Sequence, residues 1–555
     1  MIKCRFNCKL ILDGRAENNL TFYSTATEGE NIIQRDTALR ERLIITGLII
    51  VALATRFFYI YQGGMSEPDS VVMAAGMARM LSPDCSFVES MLYGRQLNPG
   101  IYFIFKAIYP LIFDSPEYVI EFLNWLGALS AALITWPLYL ILRKMFSRTI
   151  SAGAVLIFIF SPITWELGTY FHPIMPALLL ALIAFLTFNR ISSSPKGIIY
   201  FVITSLAGSA AVIMRTEVLF VLPPAAVYIL FSRQRRKNLV VLFSISAIAI
   251  VSYLALMAMI SGPASTGGRG LRGFTERFIS MYFKSVSMTG ILKTTVWAVM
   301  GIGVATVILI IIYSLNNLFR KGRIVQNREG RKVLITSLFW ILPSLIIWLL
   351  YPVPITRHFF IVIPAAVVIL SETVFKRYPN GRIAIIATSI IILNLAIPEI
   401  LYRGYNSISK GSEKEPHGTF FYYHSRVNER ISRYHKMQKE IEDIASKGPG
   451  YSSGLFIPVN WESYGYALYG MAETGELVYE GSSEISPGMF IHEYSLFGTD
   501  VVLAFSNDFR GKSIPDQIFR KLKRALSEGR IVVLPKDLTD RKAMSKMPDG
   551  FSITY

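Results

Sequence analysis

Apolar runs separated by short charged loops fill most of the chain between residues 43 and 402. They lie at Leu43–Tyr61, Tyr118–Leu142, Ser151–Trp165, Pro173–Phe188, Ile198–Met214, Val218–Phe231, Leu239–Ile260, Ile291–Tyr313, Val333–Tyr351, Phe359–Phe375 and Ile383–Tyr402. A membrane-crossing helix needs about 20 such residues, within a range of about 17–25. The pattern therefore predicts about eleven transmembrane helices, some of them short. Ile101–Phe113 reads as an additional interfacial or membrane helix.

After Tyr402 the period changes. Ser425–Ser446 reads as a charged helix, and Leu455–Val459, Glu476–Tyr479, Asp500–Phe505 and Arg530–Leu534 read as short strands. Ser513-Ile514-Pro515-Asp516 opens a helix with a capping signature, and Gly529 closes it. Strand alternating with helix predicts a small C-terminal α/β domain. The fold class is thus a polytopic α-helical membrane protein with a small α/β domain. It divides into an arm at 1–42, a membrane domain at 43–405 with a large first loop at 62–117, and the α/β domain at 406–555. Gly448-Pro-Gly450 with Gly454 imitates a dinucleotide loop but precedes a strand instead of following one, so it is set aside.

Composition agrees with this division. Of 555 residues 52% are hydrophobic and 17% charged, which suits a membrane protein. The net charge of +18 would suggest a nucleic-acid partner if it were clustered. Instead the bases fall in alternate loops: Arg143, Lys144 and Arg148; Arg190 and Lys196; Arg233, Arg235, Arg236 and Lys237; Arg320 to Lys332; Lys376, Arg377 and Arg382. Cytoplasmic loops carry that excess. The N-terminus is accordingly expected inside, next to Arg35, Arg40 and Arg42, and the C-terminal domain outside the cytoplasm of a cell membrane. No nucleic acid is expected as a partner. The cysteines Cys4, Cys8 and Cys85 form neither a disulfide framework nor a CxxC site. A cysteine-free outer domain and outer segments without N-x-S/T sequons favour a prokaryotic envelope over a secretory lumen.

The candidate chemistry lies at the outer ends of the runs. Glu67-Pro68-Asp69-Ser70 follows the first run directly, and Pro68 biases Glu67 towards an extended backbone. A carboxylate between apolar surface and water is where acid–base strength is tuned. The plainer alternative is a solvated loop in which Asp69 or Ser70 caps the helix VVMAAGMARML. The same side carries Arg95, Gln96 and Asn98; Glu166, Tyr170 and His172; Arg215 and Glu217; and Tyr351 to His358 in YPVPITRH. Ionisable groups at membrane depth are costly and usually functional. Carboxylates, arginines and histidines on one face suit chemistry on an anionic group attached to a lipid. Plainer alternatives exist for each: Arg357 as an anchor at a span end, His172 as a structural histidine, and Arg215 with Glu217 as a structural ion pair. The basic loop SGPASTGGRGLRGF, with Arg269 and Arg272, reads as a loop that can meet headgroups or acceptor.

These motifs resemble the GT-C superfamily of membrane glycosyltransferases, in the protein O-mannosyltransferase-like branch that includes the lipid A aminoarabinose transferases. Glu67-Pro68-Asp69-Ser70 stands at the branch's acidic motif in the first outer loop. Gln96-Leu97-Asn98-Pro99-Gly100-Ile101-Tyr102 stands at its basic-Pro-Pro motif, lacking the base and the second proline. FHPIMPALLLALIAFL resembles its D-P-x-x-x-F span with His172 in place of the acid, and AVIMRTEVLFVLPPAAVYIL its span carrying a basic residue, here Arg215. TRHFFIVIPAAVVIL, with Arg357 and Pro364, resembles its R-Y-x-x-x-x-x-P element. No WWDYG-like element is present, which argues against an oligosaccharyltransferase.

The resemblance implies transfer of a monosaccharide from a polyprenyl-phosphate-linked donor to a glycan, lipid or protein acceptor. Asp69 and Glu67 would be catalytic, and Arg357, His358 and Arg215 would hold the donor phosphate. His172, Glu217, Asn98, Arg95 and Tyr351 would line the substrate. No cofactor is required; a divalent cation at Glu67 and Asp69 stays an option. Two other classes fit the hydropathy, a lipid or glycolipid transporter without bond chemistry and a non-catalytic scaffold of an envelope complex.

Overall fold

The structure, a computed structural model, describes the backbone of residues 28–60, 68–81, 85–87, 90–91, 98–113, 115–191, 194–230, 235–260, 288–321, 328–350 and 356–408, and beyond these mainly the strands of a C-terminal sheet. By its contacts the chain divides into a unit of Met1–Ile44 and a unit of Ile45–Tyr555.

The helices are α1 (Glu28–Ile60), α2 (Pro68–Met80), α3 (Pro99–Ile108), α4 (Val119–Arg143), α5 (Arg148–Ile159), α6 (Pro162–Thr169), α7 (Ile174–Ile191) and α8 (Gly197–Met214). They continue as α9 (Leu222–Leu230), α10 (Arg235–Ile260), α11 (Met288–Ile302), α12 (Val304–Lys321), α13 (Arg328–Leu350), α14 (Ile363–Thr373) and α15 (Asn380–Ile408). Two 3-10 turns matter below, Thr216–Val221 before α9 and Thr356–Val362 before α14. The apolar run that begins at Leu43 continues a helix that starts at Glu28, so the last residues of the expected arm are helical.

Among the described residues five helical segments are long and apolar enough to cross a bilayer, or six if one bent pair counts as a single span. The expected count of about eleven covers the whole chain, and among the described residues two of the expected runs form interrupted helices. This is a multi-pass helical membrane protein. Its outward surfaces carry large apolar side chains such as Leu206, Phe243, Ile312 and Ile392, as lipid contact requires.

Two runs expected as continuous spans are broken. The run at Ser151–Trp165 splits into α5 and α6, bent by 61°. Ser147 caps α5, accepting a bond from the Ile150 N–H at 3.4 Å, and Pro162 opens α6, where a missing N–H costs nothing. The run at Ile291–Tyr313 splits at Gly303, whose φ of 115° ends α11. The side chain of Asn394 on α15 fills this break. It accepts from the Thr306 N–H at 3.2 Å and donates to Thr306 Oγ1 at 2.8 Å, so it satisfies an otherwise unbonded donor at the start of α12. A Cβ at Gly303 would lie 2.4 Å from the Asn394 side chain. Gly303→Ala combines a left-handed backbone with that clash, each worth about 1–3 kcal/mol. We expect it to lower the unfolding temperature in detergent by several degrees; an unchanged transition would show that the break carries no weight.

Basic residues next to α4 and α15 pack on neighbouring segments. Ser147 reaches Asn380 at 3.3 Å, Lys376 pairs with Glu372 at 2.6 Å and lies over the Phe146 ring, and Arg377 lies over the Tyr313 ring. Burial and the neighbouring Arg190 push the Lys144 ammonium pKa down.

Among the described residues of the C-terminal region six strands form one sheet in the order β2-β3-β4-β5-β1-β6, with β1 Leu455–Val459, β2 Leu477–Ser486, β3 Met489–Leu496, β4 Thr499–Ser506, β5 Ile531–Pro535 and β6 Ser552–Ile553. β2, β3 and β4 are an antiparallel meander, while β4, β5, β1 and β6 are mutually parallel. Parallel neighbours need long crossovers, and helical backbone is described at Arg520, Arg524 and Ser527 between β4 and β5. Strand β3 was not among the expected strands, and β2 runs further than Glu476–Tyr479.

Candidate functional site

Of the polar residues expected to act, Asn98, Arg215, Arg357 and His358 lie on or next to described segments that pack in succession on one another. Asn98 precedes α3, whose first residue is Pro99; its side chain is buried but makes no capping bond. Gly100, two residues on, sits against the end of α8. A Cβ there would lie 3.0 Å from the Met214 nitrogen, so only glycine lets the two backbones approach this closely. α8 ends one residue later at Arg215, whose extended backbone (φ −159°) turns the chain into the Thr216–Val221 turn.

Arg215 and Glu217 form an ion pair there, Nη2 to Oε1 at 2.8 Å and Nε to Oε1 at 2.9 Å, with side chains 13% and 21% exposed. The structural pairing considered for these two residues is therefore present. The 2.8 Å contact leaves Arg215 with further donors, since a guanidinium carries five.

The Thr216–Val221 turn packs against the Thr356–Val362 turn, which carries Arg357 and His358, and α6 packs against that second turn as well. α6 brings Glu166, itself buried. At the end of α6 the chain turns through Tyr170 to His172. Asn124 on α4 accepts from the Phe171 N–H at 3.0 Å, and His172 Nδ1 accepts from the Ile174 N–H at 3.2 Å. His172 thus caps the start of α7.

α2 begins at Pro68, so Asp69 and Ser70 lie inside its first turn and neither is its N-cap residue. Tyr102 on α3 holds α2 by donating to the Met73 carbonyl at 3.3 Å, and burial pushes the Tyr102 phenol pKa up. Glu67, Arg95 and Tyr351 lie outside the described residues, as do the side chains of Asp69, Arg357 and His358 and the loop with Arg269 and Arg272. Among the described residues no three His, Cys, Asp or Glu side chains gather as a metal site.

Three buried side chains were not singled out as site residues. Asn124 carries no pattern signal of its own. Glu166 was placed only as a member of an outer turn, although its acid inside an apolar run marks it. Arg56 interrupts the run Leu43–Tyr61, and that interruption was the available signal.

Residues 98–260 match the family model of dolichyl-phosphate-mannose-protein mannosyltransferase. No curated protein matches the chain. Among solved structures, the chain is similar to ArnT from Cupriavidus metallidurans bound to undecaprenyl phosphate, at 13% identity and a TM-score of 0.46, over 78% of this chain and 77% of that one. It is also similar to the Archaeoglobus fulgidus oligosaccharyltransferase in the apo form, at 12% identity and a TM-score of 0.44, over 78% of this chain and 63% of that one. The complex of that oligosaccharyltransferase with Zn and sulfate gives 13% identity and a TM-score of 0.41. The segment matched by the family model includes Asn98, His172, Arg215 and Glu217.

Proposed function

We propose that this protein is an inverting glycosyltransferase that moves a monosaccharide from a polyprenyl-phosphate donor to an envelope glycan, lipid or protein acceptor. The observation that carries the reading is the meeting of the turn that follows Arg215 with the turn bearing Arg357, within a chain whose residues 98–260 match the dolichyl-phosphate-mannose-protein mannosyltransferase model. In this reading Asp69 takes the proton of the acceptor hydroxyl as its oxygen attacks the anomeric carbon. The bond from that carbon to the phosphate oxygen breaks, and the phosphate leaves as an anion held by Arg357, His358 and Arg215 through charge-assisted bonds. One displacement inverts the anomeric centre. Glu217 orients Arg215, and Asn98, Arg95, Tyr351 and His172 border the substrate. The reaction face is the extracytoplasmic one.

A transporter of lipid-linked sugar is the reading favoured by the two interrupted helices, because transporters place sites at such breaks. One assay separates the two. Purified protein in vesicles containing a polyprenyl-phosphate hexose and an envelope extract is expected to release free polyprenyl phosphate. Movement of intact donor across the vesicle wall without release would favour the transporter.

A further inference from the structure

Arg56 is fully buried within α1 and has no part in the chemistry above. Its Nη1 donates to the Ala52 carbonyl at 2.8 Å and to Thr55 Oγ1 at 3.2 Å. Its Nη2 donates to the Ile159 carbonyl at 3.1 Å and to the Thr164 carbonyl at 3.2 Å. Ile159 ends α5 and Thr164 lies in the first turn of α6, so one nitrogen holds carbonyls on both sides of the 61° bend. The last carbonyls of α5 have no partner within that helix, and the guanidinium fork supplies one. Trp165 Nε1 adds a second tie from α6 to α1, donating to the Thr55 carbonyl at 3.3 Å.

The remaining donor, Nε, faces Gly168. A Cβ at that position would lie 2.6 Å from Nε and 2.7 Å from the Ala131 Cβ. Nε is thus packed closely against Gly168, and the hydrogen bonds of Arg56 go to oxygens of its own chain. The group is built as a brace and does not reach substrate. What it braces is α6, which bears the buried Glu166 and packs on the turn carrying Arg357 and His358.

We propose that Arg56 is a positioning residue: its guanidinium, seated against Gly168, locks the bend between α5 and α6 and so holds α6 and Glu166 against the Thr356–Val362 turn. The inference rests on the glycosyltransferase reading for what that turn binds, but the lock itself does not depend on it. A lysine keeps the charge but carries three donors on a single nitrogen, so it cannot make all four bonds that the two nitrogens of the fork make here.

The test uses full-length protein in detergent micelles, with undecaprenyl phosphate as the binding probe and donor turnover as the second readout. Arg56→Met and Gly168→Ala are each expected to weaken probe binding about tenfold and to lower kcat about 10²-fold, the cost of misplacing a site by an ångström. Acceptor KM should stay within a few-fold, and Arg56→Lys should recover part of the loss. Because both changes break one lock, the double variant should be little worse than either alone, in binding and in thermal unfolding. Folded Arg56→Met protein that binds and turns over like wild type overturns the proposal, as does strict additivity. Should Arg56→Met not fold, Gly168→Ala and Arg56→Lys carry the same comparison. Wild type that fails to bind the probe contradicts the glycosyltransferase reading, and the lock is then decided by non-additivity in unfolding alone.

Discussion

Replacing Asp69 by asparagine is expected to lower sugar transfer by about 10²–10⁴-fold, the usual loss when a general base is removed. The substitution keeps the size of the side chain and takes away its ability to accept a proton. Its backbone lies in the first turn of α2, and α2 is anchored to α3 through Tyr102 and Met73, so the turn is held whatever side chain it carries. Unfolding should therefore be unchanged and donor binding close to normal. Near-normal transfer by Asp69→Asn removes Asp69 as the base. EDTA divides the remaining options: activity that survives chelation leaves Glu67 and Asp69 as acid–base groups, and activity restored only by a divalent cation makes them its ligands.

Arg357→Ala is expected to weaken donor binding by roughly one to two decades, since a hydrogen bond to a charged group is worth about 1.5–3 kcal/mol. A phosphodiester anion at the edge of the apolar layer requires a fixed cation. Arginine meets it with two parallel bonds, where lysine offers a point charge. Arg357→Lys should therefore fall between wild type and alanine, and acceptor KM should hardly move. Equal donor affinity in wild type and Arg357→Ala would move the phosphate site to Arg215. That residue lies on the adjoining turn, with Glu217 fixing its direction.

The two predictions rest on different parts of the sequence reading. Hydropathy located the helices well where the run was uniform: the expected Tyr118–Leu142 is observed at Val119–Arg143, and Ile198–Met214 at Gly197–Met214. It missed both breaks for one reason. Apolar character continues through Phe160 and through Ile302 to Val304, while the groups that stabilise each break are distant in sequence. Arg56 acts on Thr164 from 108 residues away, and Asn394 on Thr306 from 88. A window along the chain registers neither.

Local pairs were easier. Arg215 and Glu217 stand two apart where an extended Arg215 leads into a 3-10 turn, and they form an ion pair. His172 precedes Pro173 at the start of a helix, where a ring nitrogen within reach of the Ile174 N–H becomes a cap. That Asn98, Arg215 and Arg357 belong to adjoining segments was suggested by the alternation of loops. Glycine at position 100 and the packing of the two 3-10 turns give this suggestion its geometry.

The central claim is that this membrane protein transfers a sugar and that Asp69 makes it do so. Mass spectrometry of envelope lipids, glycans and glycoproteins from a deletion strain, complemented with wild type or with Asp69→Asn, tests it most directly. We predict that deletion removes the mass of one monosaccharide from a defined envelope molecule, that wild type restores it, and that equally expressed Asp69→Asn does not. An envelope unchanged by deletion, or restored in full by Asp69→Asn, would contradict the account.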